Sequence, residues 1–199
     1  PRSTLFPYTT LFRSVTHHDV AEALPFACSD DGLTQAWQVT ERTLRTSMLD
    51  AFVDNGWREQ TQWSHDGFVG ATGAWATYGD TSLWRRLLWQ TAQSAACFAD
   101  GAVHAMVACD PFFQRSVMPI FDHSLHWLLS IERYLAVSGD AGLLRDLLPA
   151  LRGFLLRHFE SGFTSENLVI QPLGSKIFLA WTPRPFEKRP YNLTFNLAV

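Results

Sequence analysis

The chain has 199 residues, of which 47% are hydrophobic and 18% charged, and its formal net charge is −3. This length is enough for one domain with a sizeable core, and the charge argues against a nucleic-acid-binding surface, a polybasic membrane patch and a disordered tail. No stretch approaches the length and apolarity of a transmembrane helix. Together with the charge, this leads us to expect neither a nucleic-acid nor a membrane partner. The eight Trp residues fit a large helical core, although sugar-binding clefts also use Trp as stacking platforms.

The start of the chain has a separate origin from the rest. Residues 4–14 read TLFPYTTLFRS and resemble the direct translation of a common sequencing-adapter oligonucleotide. The alternative is an apolar β-strand, but a match over so many consecutive residues favours the adapter, and we exclude residues 1–14 from the fold. Residues 15–32 are then a linker or the remnant of a preceding domain, and residues 33–199 form the domain of interest. We expect the reading frame to be a fragment.

The rest of the chain has helical hydrophobic spacing. The predicted helices cover Leu33–Phe52, a segment through Phe68 to Tyr78, Ser82–Phe98, Phe121–Val137 and Ala141–Phe159, with a loop over 102–118. After Gly162, short apolar runs among prolines predict a loop and a small hairpin. The three cysteines, Cys28, Cys97 and Cys109, are odd in number and widely spaced, so we expect buried free thiols and neither a disulfide nor a zinc site.

An internal repeat indicates how these helices are arranged. Residues 79–88 (GDTSLWRRLL) line up with residues 139–148 (GDAGLLRDLL), sixty positions later. Each copy lies in the turn of a helix–turn–helix unit, where Gly allows the turn and Asp caps the second helix. Recurring helical hairpins predict an all-α fold, either a solenoid or a closed toroid, while chance similarity between Leu-rich helices is the alternative.

One segment combines carboxylates with aromatic and basic side chains. Glycoside hydrolysis needs one carboxylic acid to protonate the departing oxygen, a second carboxylate to activate water, and an aromatic wall for the sugar. Two carboxylates close together raise one pKa, which helps to keep a general acid protonated. Alternatively, these acids are solvated or cap a helix. The residues in question are Asp54, Trp57, Arg58, Glu59, Trp63 and Asp66.

The segment from Trp37 through Asp66 resembles the signature of bacterial α-L-rhamnosidases, which are inverting six-hairpin glycosidases. The five-residue interval from Asp54 to Glu59 and the seven-residue interval from Glu59 to Asp66 both match, and Thr43 with Leu44 precedes them. The resemblance extends over about residues 33–199. It implies an all-α fold, an incomplete (α/α)6 barrel forming the first part of a catalytic domain.

The resemblance also implies roles for particular residues. Glu59 is the expected general acid, Asp54 and Asp66 are expected to hydrogen-bond rhamnose hydroxyls, and Arg58 and Trp63 to shape the pocket. Arg58 alternatively forms a salt bridge with Asp54 or Glu59, and Trp63 alternatively packs the helix start. The implied mechanism demands no cofactor, and we expect no metal site. His123 and His126 have a spacing that can bind metal, but no H-E-x-x-H motif accompanies them.

The chain departs from the family pattern at several positions. Gly56 and Trp57 replace the usual Pro and its neighbour, and His65 stands where the family often has Gly. The family's general base lies far downstream, and no residue here maps onto it, so we expect this chain to be inactive. Two alternatives stay open. One is a six-hairpin glycosidase for a different sugar, and the other is a non-catalytic helical-repeat binding protein.

Overall fold

The computed structural model describes residues 17–56, 58–97, 102–107 and 120–156. Within these ranges the helices are accompanied by loops and one two-stranded antiparallel sheet, and none of the helices is long and apolar enough to cross a bilayer. The prediction of an all-α fold is confirmed. The elements are α1 (Asp31–Ser47), β1 (Gln62–Trp63), α2 (Ser64–Tyr78), α3 (Ser82–Ser94), a 3₁₀ turn (Ala95–Cys97), β2 (Met106–Val107), α4 (Phe121–Ser138) and α5 (Ala141–Leu155).

Helices α2 and α3 form one hairpin and α4 and α5 form a second. Gly79 ends α2 with a φ of 71°, and Gly139 ends α4 with a φ of 67°. In each turn the glycine N–H donates to the carbonyl four residues earlier, at 2.9 Å in both cases. Glycine is favoured in this left-handed conformation because it has no Cβ. The two copies of the sequence repeat therefore make the same turn.

The aspartates of the repeat hold the starts of the second helices. The Asp140 carboxylate accepts a hydrogen bond of 2.9 Å from the Leu143 N–H, and that of Asp80 accepts one of 3.1 Å from the Ser82 N–H. Asp140 also accepts a 3.0 Å hydrogen bond from Nε of Arg85, which belongs to the preceding hairpin. The turn of the second hairpin is thus fixed partly by the first.

Helix α3 lies at the centre and contacts α2, α4 and α5. Its Trp84 and Leu88 are fully buried, and the Trp84 indole N–H donates to Ser130 Oγ in α4 at 2.8 Å. Trp127 of α4 donates its indole N–H to the Leu88 carbonyl at 3.2 Å. This packing sets α2 and α4 side by side, so that their N-terminal ends lie together.

The boundaries of α1 differ from the prediction. The helix begins after Asp30, whose side chain caps the Leu33 N–H, and ends at Ser47, well before Phe52. Met48 instead forms an isolated β-bridge with Phe52. None of the α1 residues is buried, which shows that spacing alone overestimated this helix.

Other expectations are corrected or fall outside the described ranges. Cys28 and Cys97 are exposed rather than buried. The predicted loop over 102–118 contains strand β2 within its described part, and α3 gives way to a 3₁₀ turn after Ser94. The expectations for residues 1–14, Cys109, the rest of the last predicted helix and the segment after Gly162 lie outside the described residues.

Candidate active site

The candidate carboxylates lie on a loop that is closed at its base. The Asp54 N–H donates to the Thr61 carbonyl at 3.1 Å, and the Thr61 N–H donates to Asp54 Oδ1 at 3.0 Å. Within the loop, Asn55 Oδ1 accepts the backbone N–H of Arg58 at 2.6 Å and of Glu59 at 3.4 Å. A side-chain amide therefore organises the turn that presents Glu59. Asn55 was not among the expected site residues.

The carboxylate of Glu59 is held on both oxygens. Its Oε2 accepts a 2.9 Å hydrogen bond from the indole N–H of Trp63, and its Oε1 forms an ion pair with the Arg58 guanidinium. The Glu59 side chain is 16% exposed, whereas that of Arg58 is 74% exposed. Gln60 follows with a φ of 48°, a left-handed conformation that turns the chain toward β1. Arg58 thus forms the salt bridge with Glu59 that was its alternative, and the Trp63 indole also bonds Glu59.

Asp54 and Glu59 interact, and their pKa values shift in opposite directions. Burial raises the pKa of Asp54 above its ordinary value, and the nearby Glu59 raises it further, against hydrogen bonds from Thr61 and Asn55 that lower it. Burial also opposes the ionisation of Glu59, but the hydrogen bonds from Trp63 and Arg58 outweigh it, so the pKa of Glu59 is lowered. The carboxyl pair thus behaves as expected for like charges, with the raised pKa on Asp54.

Asp66 stands apart from the other predicted residues. It lies in the first turn of α2, where a carboxylate is favoured by the helix dipole, and it is exposed. Within the described part of the chain it makes no hydrogen bond or ion pair. The structure therefore brings Asp54, Arg58, Glu59 and Trp63 together and leaves Asp66 at the adjacent helix end. The predicted role of Trp57 lies outside the described residues.

Buried contacts fix the short strand that carries Trp63. The fully buried Gln62 accepts the Phe52 N–H at 3.1 Å and donates to Gln90 in α3 at 3.0 Å. The next residue, Ser64, donates its N–H to the Ala105 carbonyl at 2.8 Å. Because both neighbours of Trp63 are anchored in this way, the indole can hold Glu59 from a rigid base.

Three histidines meet beside Trp63, at the paired N-terminal ends of α2 and α4. The ring centroids of His65 and His126 are 4.1 Å apart, and those of His65 and His123 are 6.0 Å apart. The edge of His123 packs on Trp63 with a centroid distance of 5.6 Å. The i, i+3 spacing of His123 and His126 predicts that they share a helix face, but no sequence signal places His65 next to them. We call these three residues the histidine cluster.

The arrangement does not form a metal centre. Among the residues that the structure describes, no group of three or more His, Cys, Asp or Glu side chains is positioned to hold a metal ion. Trp127, which follows His126, is 1% exposed and packs on Phe154, so it belongs to the core. Asp54 and Glu59 are the two carboxyl groups of this site that interact.

Comparison with known proteins gives this site a family. Among curated proteins, no sequence matches the chain. The structure is similar to a GH78 family rhamnosidase of Bacillus sp. GL1, with a TM-score of 0.72 and 25% identity over 84% of this chain and 16% of that one. It is also similar to a rhamnosidase from Klebsiella oxytoca with rhamnose bound, with a TM-score of 0.65 and 23% identity over 81% of this chain and 31% of that one.

This chain thus spans less than a third of either solved protein. The sequence profile described as the bacterial alpha-L-rhamnosidase 6 hairpin glycosidase domain matches residues 21–167, which include the loop of Glu59 and both hairpins. The chain therefore belongs to the bacterial α-L-rhamnosidase six-hairpin glycosidase family.

Proposed function

We propose that this chain carries the acid side of the active site of an inverting α-L-rhamnoside hydrolase. Glu59 is the general acid, Asp54 and Asp66 bind sugar hydroxyls, and Arg58 and Trp63 shape the pocket. One observation carries the proposal. The Glu59 carboxylate is fixed by Trp63 and Arg58 and interacts with Asp54, on a loop closed at its base. A fixed carboxyl group beside a second one is what protonation of a leaving oxygen requires.

A general acid must carry a proton, whereas the present contacts lower the pKa of Glu59. The exposed Arg58 side chain resolves this conflict. When a bound substrate draws the guanidinium away, the hydrogen bond and charge that favour ionised Glu59 are lost. The pKa of Glu59 then rises, because burial is opposed only by the hydrogen bonds from Trp63 and Asp54. In this proposal substrate binding moves Glu59 toward the protonated form that a general acid needs.

We further propose that the chain by itself does not hydrolyse rhamnosides. Inverting hydrolysis uses a second carboxylate about 6.5–9.5 Å from the acid to activate water. Asp54 interacts with Glu59 and is assigned here to bind sugar hydroxyls, so it is not proposed as this base. The family resemblance maps no residue of this chain onto the general base. Reading the source locus through both ends of the frame tests this, because the base is expected on a further hairpin encoded downstream.

A different sugar preference is the second candidate. His65 takes the place where the family often has Gly, and its ring packs against His126 at the start of α2, one residue before Asp66. A bulky ring beside the proposed hydroxyl-binding carboxylate alters the space open to the sugar. Membership of a glycosidase family supports both candidates over a non-catalytic repeat protein.

Sugar binding is the direct test on this chain. Saturation-transfer NMR with L-rhamnose is expected to show contact, and L-fucose, another 6-deoxyhexose, measures the preference. Asp54→Asn and Asp66→Asn should each weaken the rhamnose signal. Asp50→Asn is the matched control, because Asp50 is a 79% exposed acid that pairs with Arg86. Stronger binding of L-fucose than of L-rhamnose favours the second candidate, and equal signals from all variants contradict the assignment of the carboxylates.

The role of Glu59 is tested in the full-length parent enzyme. Glu59→Gln should abolish hydrolysis of rhamnosides with poor leaving groups, while an activated aryl rhamnoside, which needs little protonation, retains more of its rate. Equal losses for both substrates contradict a general-acid role. This chain without the remainder serves as the control and is expected to release no rhamnose.

A further inference from the structure

We propose that the histidine cluster positions Trp63, and through it the carboxylate of Glu59, only while His126 is neutral. The chain of contacts is short. His65 packs on His126, both rings lie near His123, and His123 packs edge-on against Trp63. The Trp63 indole then donates to Glu59 Oε2 at 2.9 Å. In this arrangement the histidines act on Glu59 through Trp63 and are positioning residues.

The surroundings of the cluster disfavour a positive charge. His65 is the second residue of α2 and His123 is the third residue of α4, so both lie at helix ends where the dipole repels cations. The Nδ1 atoms of His65 and His126 are buried, and neither has a hydrogen-bond partner within the described ranges. A protonated ring there has a buried N–H donor that lacks an acceptor, which costs free energy. Two protonated rings also repel each other at these distances.

Charged and titratable groups surround the histidine cluster on the neighbouring elements. On α4, Asp122 lies 3.7 Å from His123 and is the one group that favours protonation of His126. On α2, Asp66 is adjacent to His65 but exposed. The segment before β2 brings His104, whose own pKa is lowered by burial.

The cations of α3 are engaged elsewhere, since Arg85 pairs with Asp140 and Arg86 pairs with Asp50. Burial and the other two histidines outweigh Asp122 and lower the pKa of His126. The balance of these groups therefore favours the neutral form of His126.

Protonation below neutral pH should separate the rings and release the indole. Charged imidazoles gain hydration by moving outward, and the edge contact between His123 and Trp63 is lost with them. Trp63 then no longer holds Glu59 in place. The consequence for catalysis rests on the proposed role of Glu59, but the coupling between the histidines and the indole does not.

NMR on the full 199-residue chain tests the coupling without any need for activity. The Trp63 indole N–H resonance, assigned from a Trp63→Phe variant, is followed from about pH 8 to pH 4. We expect it to shift with a midpoint below the ordinary histidine value of 6.5. An indole resonance that does not shift over this range overturns the proposal.

Two variants separate the cluster from other histidines. His126→Leu keeps an apolar side chain against His65, and His65→Asn removes one ring from the other helix, so a folding defect in one leaves the other informative. Both are expected to abolish or displace the midpoint of the Trp63 indole. His17→Gln is the control, because His17 lies away from the cluster. Its neighbour His18 bonds Ser82, the first residue of α3, next to the C-terminal end of α2. An indole midpoint that is unchanged in both cluster variants overturns the proposal, whatever the outcome of the sugar-binding tests.

Discussion

The two ends of the paired helices α2 and α4 are built in contrasting ways. At the C-terminal ends, Gly79 and Gly139 turn the chain, and aspartates one residue later satisfy the next helix. Each of these contacts spans a few residues and repeats in both hairpins. At the N-terminal ends, Glu59, Trp63 and the histidine cluster meet across separate elements and do not repeat. The C-terminal ends, whose contacts are local and fully hydrogen-bonded, serve as a scaffold. The N-terminal ends join titratable side chains of separate elements, and we expect these contacts to respond to a ligand or to pH.

The largest effect is expected in the core that both ends share. Trp84→Ala removes a fully buried indole and its hydrogen bond to Ser130, and should lower the free energy of unfolding by about 3–5 kcal/mol. Urea denaturation measures the change. Ser130→Ala is the control for the hydrogen bond alone and should cost about 1 kcal/mol. If the two variants cost the same, packing around Trp84 is not what joins the two ends.

At the C-terminal ends of α2 and α4, a single added methyl group should lower the stability of the fold. Gly139→Ala and Gly79→Ala each place a Cβ on a residue with positive φ, at a cost of about 1–2 kcal/mol in unfolding free energy. An added Cβ meets no atom within 4 Å at either position, so the cost is purely conformational. The Trp63 indole resonance should stay unchanged in both variants. A shift of that resonance would contradict the independence of the two ends.

The site end should show its own pH dependence of stability. Burial and the neighbouring His65 and His123 hold the pKa of His126 below its ordinary value of 6.5. Between that value and the lower folded pKa, the unfolded chain binds a proton that the folded chain does not, so stability falls as pH falls through this window. His126→Leu should make the loss of unfolding free energy between about pH 7.5 and 5.5 smaller. The loss should persist in His17→Gln, and an unaltered loss in His126→Leu would assign it to other groups.

The smallest effect on stability is expected for the most exposed part of the site. Arg58→Gln removes an ion pair whose guanidinium is 74% exposed, and should change the unfolding free energy by less than about 1 kcal/mol. The pKa of Glu59 should nevertheless rise, because its charge partner is lost while its burial remains. Carboxyl ¹³C NMR measures this pKa. If it stays low, the Trp63 hydrogen bond alone sets it, and Trp63→Phe should then raise it.

The contrast between local and long-range contacts also explains which features could be predicted from the sequence. The hairpin turns, the helices around them and the grouping of Asp54, Arg58, Glu59 and Trp63 all depend on short sequence intervals, and the structure contains them. The end of α1 was missed because Met48 leaves the helix to pair with Phe52, a tertiary choice that periodicity does not encode. The exposed Cys28 shows the same limit for burial.

The histidine cluster was out of reach for a further reason. His65 and His126 are more than sixty positions apart in the sequence, and the contact between them arises from the packing of α2 on α4. The opposite pKa shifts of Asp54 and Glu59 likewise depend on the hydrogen bonds that Trp63 and Arg58 donate to Glu59. Spacing predicts which residues are close, but the division of hydrogen bonds between them requires the fold.

The bond from Arg85 to Asp140 has an architectural consequence. It links the two copies of the repeat in chain order, because an arginine of the first hairpin bonds the turn of the second. The counterpart of Arg85 in the second copy is Arg145, which makes no ion pair within the part of the chain that the structure describes. A further hairpin that packs on α5 in the same register could place an aspartate of its turn against the Arg145 guanidinium. An arginine–aspartate contact repeated in this way would determine which hairpin packs next to which.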